Sequence, residues 1–176
     1  MIERERTFLL KKKLEGLSEC DSVEIEDIYI PQSVDHPILR IRKKGDKYTI
    51  TKKKPIKGKD SSKQRETTII LTRNEFKELS RLKGKRFRKI RYFYPFGELV
   101  AEIDFYQDKL KGLAVVDFEF ETDAQKDSFE MPEFCLADIT QEKFCAGGVL
   151  AGKGYQEIER FLEKYGYEKQ EVEVEK

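Results

Sequence analysis

Charged side chains recur at every second position in several short segments of this sequence. Glu3 and Glu5 are separated by one residue, and so are Arg40 and Arg42. Carboxylates at this spacing can share a hard divalent cation, and guanidinium groups can hold an anion through forked hydrogen bonds. The single histidine, His36, argues against Ser-His, Cys-His and histidine-based zinc chemistry. These residue types therefore indicate chemistry carried by carboxylates, cations and a metal ion.

A β-strand would collect these charges on one face, because its side chains alternate between two faces. In each segment the charged positions oppose apolar ones, as Glu3 and Glu5 oppose Ile2. The residues on the polar face are, in chain order, Glu3, Glu5, Thr7, Arg40, Arg42, Thr49, Thr51, Lys53, Glu66, Thr68, Lys89, Arg91, Glu102, Asp104, Asp117, Glu119 and Glu121.

The signs of these charges are sorted by strand. For a single strand the simpler interpretation is a charged face in water over an aliphatic core. In the whole set, however, acids dominate the first strand and the last two, and cations dominate the middle strands. A solvated face would gain from mixed signs, since cross-strand neighbours then attract. An acidic wall facing a basic wall in a hydrated interior instead indicates a metal ion bound to a polyanion, such as a triphosphate.

The elements that would position these residues are mostly strands. They predict an α+β fold, a closed eight-stranded antiparallel β-barrel with helices packed outside it. We expect strands over 2–10, 26–30, 38–44, 48–53, 65–71, 86–94, 98–106 and 113–122. We expect helices over 11–17, over 74–82 with Asn74 as N-cap, after Thr140, and over 155–165. Residues 54–63 are expected to form a mobile loop, and 129–144 a loop against the barrel end.

Composition narrows the class of protein further. The 176 residues suit one domain over 1–176, with a charged tail from about residue 168 that we expect to fray. The net charge is +1, and the acidic stretch from Glu98 to Asp123 argues against a plain basic nucleic-acid-binding face. No apolar run approaches the length that crosses a membrane, and no signal peptide is expected. Cys20, Cys135 and Cys145 form no metal or disulfide pattern, which favours a reducing cytoplasm.

The ordered series of charged motifs resembles the CYTH domain, or triphosphate tunnel metalloenzyme, family. The resemblance covers nearly the whole chain. Its motifs are Glu3-x-Glu5, Leu39-Arg40-Ile41-Arg42, Thr51-Lys52-Lys53-Lys54-Pro55, Glu66, Lys89-Ile90-Arg91-Tyr92, Ala101-Glu102-Ile103-Asp104 and Asp117-Phe118-Glu119-Phe120. The resemblance implies a triphosphate-binding tunnel inside the barrel and a requirement for Mg²⁺ or Mn²⁺.

The resemblance also implies a role for each matching residue. The implied metal ligands are Glu3, Glu5, Asp104 and Glu119. The implied phosphate-binding residues are Arg40, Arg42, Lys53, Lys89 and Arg91. The implied catalytic residues are Glu5, Lys53, Glu66 and Asp104, with Asp117, Glu121 and Glu102 as neighbouring candidates and Lys52 as an alternative to Lys53.

Two positions depart from the family pattern. Thr7 stands where the family has a lysine, so one phosphate-binding cation is missing unless Arg6 or a lysine of the 54–63 loop replaces it. Thr68 stands where a further acid is common, which leaves fewer ligands for a second metal ion.

The expected function is metal-dependent hydrolysis of a small triphosphate: inorganic tripolyphosphate, thiamine triphosphate or a nucleoside triphosphate. One alternative is a class IV adenylyl cyclase that converts ATP to cyclic AMP and pyrophosphate. Another, motivated by Thr7, is a noncatalytic polyphosphate- or nucleotide-binding module. A nucleic-acid partner ranks last, and either a monomer or a homodimer is compatible with the sequence.

Overall fold

A closed antiparallel β-barrel organises the chain. The computed structural model describes residues 1–12, 14–58 and 60–171. The strands are β1 (Ile2–Leu10), β2 (Ser22–Ile30), β3 (Leu39–Lys44), β4 (Lys47–Pro55), β5 (Lys63–Leu71), β6 (Lys85–Phe96), β7 (Leu99–Tyr106), β8 (Ala114–Glu119) and β9 (Cys135–Asp138). Eight of them close in the order β1-β8-β7-β6-β2-β3-β4-β5, and β5 returns to β1. The predicted eight-stranded barrel is thereby confirmed.

The first strand joins three partners along its length and so closes the barrel. Residues 2–4 pair with β5, and residues 5–9 pair with β8. The last residues of β1 pair with β9, the additional strand that lies outside the closed ring. Since β1 carries both Glu3 and Glu5, this closure places the N-terminal carboxylates between two walls of the barrel.

Four α-helices lie outside the barrel wall in the described residues: α1 (Arg73–Leu79), α2 (Asp123–Ser128), α3 (Gly147–Leu150) and α4 (Tyr155–Glu163). The first covers the outer face of β2–β4, where Phe76 packs with Ile28 and Ile41. No helix among the described residues has the length and apolar composition needed to cross a bilayer.

Apolar side chains close one end of the barrel. Inward-facing residues near that end pack in one buried cluster with residues from α3 and α4. The inward residues are Leu9, Tyr29, Phe87, Tyr106 and Val115, and the helical ones include Leu150, Tyr155, Ile158 and Leu162. The approach is close: a Cβ added at Gly147 would lie 2.1 Å from the Tyr29 hydroxyl oxygen, so α3 needs glycine there. These packed apolar residues form the closed end of the charged interior, and we call them the apolar floor.

Three of the expected helices were wrong in position or existence, because local hydrogen bonds determine where helices begin. Helix α1 begins after Thr72, whose side chain caps the helix, so Asn74 is not the N-cap. Residues 11–17 form no α-helix in their described part, and a 3₁₀ turn follows at Leu17–Glu19. Thr140 caps no helix, since its hydroxyl binds Asp138 and accepts from the Thr7 amide.

Helix α2 and strand β9 were not predicted, and part of the tail that was expected to fray is hydrogen-bonded. Strand β8 ends at Glu119, and Thr122 then caps α2 with Gln125 as the reciprocal partner. The expected 129–144 loop contains β9, because its backbone extends the sheet beside β1. In the tail, the Gln170 amide donates to the Gly112 carbonyl, while 172–176 lie outside the described residues.

Replacing Thr72 by alanine is expected to cost about 1 kcal/mol of unfolding free energy. The Thr72 side chain accepts from the Glu75 amide, and Glu75 in turn accepts from the Thr72 amide. Asn74→Ala is the matched control and is expected to leave stability nearly unchanged. Urea unfolding followed by circular dichroism measures both, and an Asn74→Ala loss as large as that of Thr72→Ala would contradict this assignment of the cap.

Candidate functional site

The strand register places most of the predicted polar face inside the barrel. Glu5 lies opposite Glu119, Arg91 opposite Asp104, and Thr7 opposite Asp117. Several of these side chains are buried in the barrel interior, among them Thr51, Lys89, Arg91, Asp104 and Asp117. Side chains of the opposite parity pack against external elements, as Ile28 and Ile41 do against Phe76 of α1.

Three carboxylates converge at the junction of β1 and β8. Glu3, Glu5 and Glu119 each offer a carboxylate oxygen, and these oxygens all lie within 4.8 Å of one another. We call this group the carboxylate cluster. Burial raises the pKa of both Glu3 and Glu5, although the nearby Lys53 ammonium opposes the rise. The cluster thus concentrates negative charge that a cation could neutralise.

Lys53 provides part of that neutralisation. Its Nζ lies 2.5 Å from a Glu3 carboxylate oxygen and 3.3 Å from one of Glu66. Burial disfavours the charged ammonium, but Glu5 and Glu3 outweigh burial and raise the Lys53 pKa. The neighbouring Lys52 lies exposed on the outer face, so the two lysines that the sequence left as alternatives differ in position.

Arg91 forms the centre of a buried ion-pair network where the basic and acidic walls meet. Its guanidinium binds Asp104 through two nitrogens, Nε at 2.7 Å and Nη2 at 2.6 Å, and also contacts Glu102 and Asp117. Lys89, which lies on β6 like Arg91, also forms an ion pair with Asp104 of β7. Burial alone would raise the Asp104 pKa, but Arg91 and Lys89 outweigh it and lower the pKa to about 2. Asp104 is therefore neutralised by cations here and lies outside the carboxylate cluster.

Asp117 and Lys89, which belong to the same network, also have shifted pKa values. Burial, together with the carboxylates of Glu5 and Asp104, raises the pKa of Asp117 to about 7. Burial lowers the pKa of Lys89 to about 8. Asp117 also accepts a 2.8 Å hydrogen bond from the Thr7 hydroxyl, so the position that departs from the family pattern contacts the network.

Asp27 is an interior acid that the sequence did not single out. It is fully buried on β2 and binds Arg42 through both carboxylate oxygens, at 2.6 and 2.7 Å. Burial would raise the Asp27 pKa, but Arg42 and Arg40 outweigh burial and hold it well below its usual range. Asp27 alternates with Ile25 and Tyr29, so it is a single charged residue on an otherwise apolar strand face. This pattern could have identified Asp27 as an interior acid from the sequence.

The cations of β3 form a row along the interior, Arg40, Arg42 and Lys44, which we call the cation row. Arg40 lies 3.9 Å from Asp27, and its buried Nε has no hydrogen-bond partner in the described part of the chain. Lys44 was also missed, although it has the same parity as the two arginines. A buried guanidinium nitrogen without a partner is a group that an anionic ligand could satisfy.

Two residues considered from the sequence lie outside the barrel interior. Arg6 faces outward and binds Asp138 at 2.7 Å and the Phe129 carbonyl at 2.6 Å, so it does not replace the cation missing at Thr7. Glu121 is exposed beyond the end of β8.

The donor set of the carboxylate cluster fits a hard divalent cation. Mg²⁺ and Mn²⁺ prefer oxygen ligands, and Mg²⁺ is commonly held by one or two carboxylates together with substrate phosphates. Glu3, Glu5 and Glu119 supply such oxygens at close range, and the cation row lies on another wall of the same interior. The arrangement can hold a metal ion and a polyanion side by side.

Comparisons with known proteins agree with this geometry. The family model described as the CYTH domain matches residues 1–143. An inorganic triphosphatase from Nitrosomonas europaea is 28% identical over 146 residues, covering 81% of this chain and 92% of that protein. A crystal structure of an inorganic triphosphatase superposes with a TM-score of 0.61 at 24% identity, covering 86% of this chain and 95% of the other.

A further structural relative shows that the barrel is shared more widely. A candidate adenylyl cyclase from Hippeastrum, described as having a dominant triphosphatase activity, superposes with a TM-score of 0.54 at 14% identity. That match covers 98% of this chain and 92% of the other, and at this identity it indicates a common fold only. Since the family model spans most of the sequence and the barrel interior carries the expected charged residues, the chain belongs to the CYTH domain family.

Proposed function

We propose that this protein hydrolyses a small triphosphate, with inorganic tripolyphosphate as the first candidate substrate, and that it requires Mg²⁺ or Mn²⁺. The carboxylate cluster facing a cation row within one barrel carries the proposal. The relationship to an inorganic triphosphatase supports the choice of substrate. We also propose a cytoplasmic location, since the spacing of Cys20, Cys135 and Cys145 follows no disulfide pattern.

In this proposal the cation row binds the phosphates and the carboxylate cluster binds the metal ion. Arg40 would bind phosphate oxygens with the nitrogen that has no protein partner, and Arg42 would present the guanidinium edge that Asp27 leaves free. Lys53 lies between the two walls and could contact both Glu3 and a phosphate oxygen. Catalysis would then consist of positioning and charge neutralisation, which dominate phosphoryl transfer.

Glu3, Glu5 and Glu119 would hold the metal ion. A bound Mg²⁺ or Mn²⁺ would neutralise charge on phosphate oxygens and make a nearby water easier to deprotonate. Glu66 and Asp117 would be positioned to accept a proton, and Asp117 has the pKa closer to neutrality, about 7. Asp104 would act by holding Lys89 and Arg91 in place.

Phosphate release from tripolyphosphate, measured with Mg²⁺, with Mn²⁺ and with EDTA, tests the proposal. We expect release with either metal and none with EDTA. Thiamine triphosphate and ATP complete the panel, and chromatography of the ATP reaction separates hydrolysis from cyclisation to cyclic AMP and pyrophosphate. Cyclic AMP as the main product would favour the cyclase, and binding without any turnover would favour the noncatalytic module.

A further inference from the structure

We propose that Lys44 is a substrate-binding residue that holds an anionic group at the end of the barrel interior opposite the apolar floor. This inference rests on the proposed function for the identity of its ligand, a triphosphate. Lys44 is the last residue of β3, and its Cα pairs with that of Ile25, which in turn pairs with Lys89. This register puts Lys44 on the inner face with Arg40 and Arg42.

The position of Lys44 extends the cation row away from the apolar floor. Arg40 pairs with Tyr29, which belongs to the apolar floor beneath α3 and α4. Lys44 lies four residues further along the strand, or about 14 Å at the usual rise per residue. The row therefore runs from the apolar floor toward the opposite end of the barrel interior.

Lys44 differs from the other interior cations in its partners. Arg40, Arg42, Lys53, Lys89 and Arg91 each have a carboxylate within 4.0 Å. Within the residues that the structure describes, no carboxylate lies within that distance of Lys44. Its Nζ lies instead over the Phe93 ring, 4.9 Å from the centroid. A cation–π contact compensates an ammonium group less than a salt bridge inside a protein does.

The electrostatic surroundings of Lys44 favour an incoming anion. Burial lowers its pKa, and the neighbouring charges of Arg91 and Arg42 lower it further. A partly buried cation without a counter-ion gains more from binding an anion than a cation already paired. Glu119 also lies within electrostatic range of Lys44. A polyanion held between the cation row and a metal ion at the carboxylate cluster would thus pass close to Lys44.

The adjacent residue supplies a matched control. Lys43 lies on the outer face of the same strand, where it is exposed, so Lys43→Gln removes the same charge one residue away. We expect Lys44→Gln to weaken tripolyphosphate binding about tenfold or more, since a charge-assisted hydrogen bond is lost. Lys43→Gln should stay within about twofold of wild type, and Lys44→Arg should restore most of the affinity because it keeps the charge.

Two readouts distinguish this inference from the proposed function. Calorimetric titration of tripolyphosphate in EDTA measures binding without turnover, and phosphate release with Mg²⁺ measures KM and kcat. A wild-type protein that binds but does not hydrolyse would overturn the hydrolase proposal and leave the Lys44 comparison intact. Equal affinities of Lys44→Gln and Lys43→Gln, with both variants folded by thermal unfolding, would overturn the role of Lys44.

Discussion

Turnover of tripolyphosphate should fall by at least roughly 100-fold when Glu5 is replaced by glutamine, because the amide cannot supply the charge that a divalent cation needs. Glu5 belongs to the carboxylate cluster, where it lies opposite Glu119 and two residues from Glu3 on the same face of β1. Its pKa is raised by burial, so its ionised form disfavours the folded state at neutral pH. The metal-free variant should therefore be at least as stable as the wild type.

Phosphate release across a Mg²⁺ titration and thermal unfolding with and without Mg²⁺ measure the two parts of this prediction. The variant should lose both the turnover and the stabilisation by metal ion that the wild type gains from binding. Glu98→Gln, in the exposed turn between β6 and β7, is the control and should retain both. Wild-type turnover in Glu5→Gln would contradict a metal role for this residue, and unfolding would indicate a structural ion pair instead.

The alternating charges allowed much of the barrel to be predicted. A period of two is dictated by strand geometry, so residues such as Arg40 and Arg42 had to share a face once β3 formed. Closure followed because polar inner faces need an enclosed, hydrated space. The choice between Lys52 and Lys53 depended on the register with β5, and the structure places Lys53 opposite Glu66 on the inside.

The ion pairing inside the barrel could not be predicted in the same way. Sequence order suggested an all-basic wall, but Asp27 lies within it and binds Arg42. Which charges pair depends on side-chain reach across strands, and the alternation of types does not encode this. The short elements were missed for a related reason: β9 exists only because β1 offers it a free edge.

Unfolding free energy should fall by about 3–5 kcal/mol when Arg91 is replaced by methionine, because removing one partner of a buried ion pair leaves the others uncompensated. Arg91 is 6% exposed and binds Asp104, Glu102 and Asp117. Urea unfolding measures the loss. Arg88→Met is the control, since Arg88 also binds one carboxylate, that of Asp108, with two nitrogens.

The Arg88 side chain is 48% exposed, so solvent screens its pair and the control should lose less than about 1 kcal/mol. The loss in Arg91→Met should also depend on pH. Without the Arg91 cation, the carboxylates that it binds should have higher pKa values. At a pH below these pKa values the carboxylates are protonated and carry no unpaired charge. The destabilisation should therefore be larger at about pH 8 than at about pH 5. Equal, small losses in Arg91→Met and Arg88→Met at both pH values would contradict this prediction. They would mean that water already screens the interior network, so that the buried ion pairs do not hold the barrel walls together.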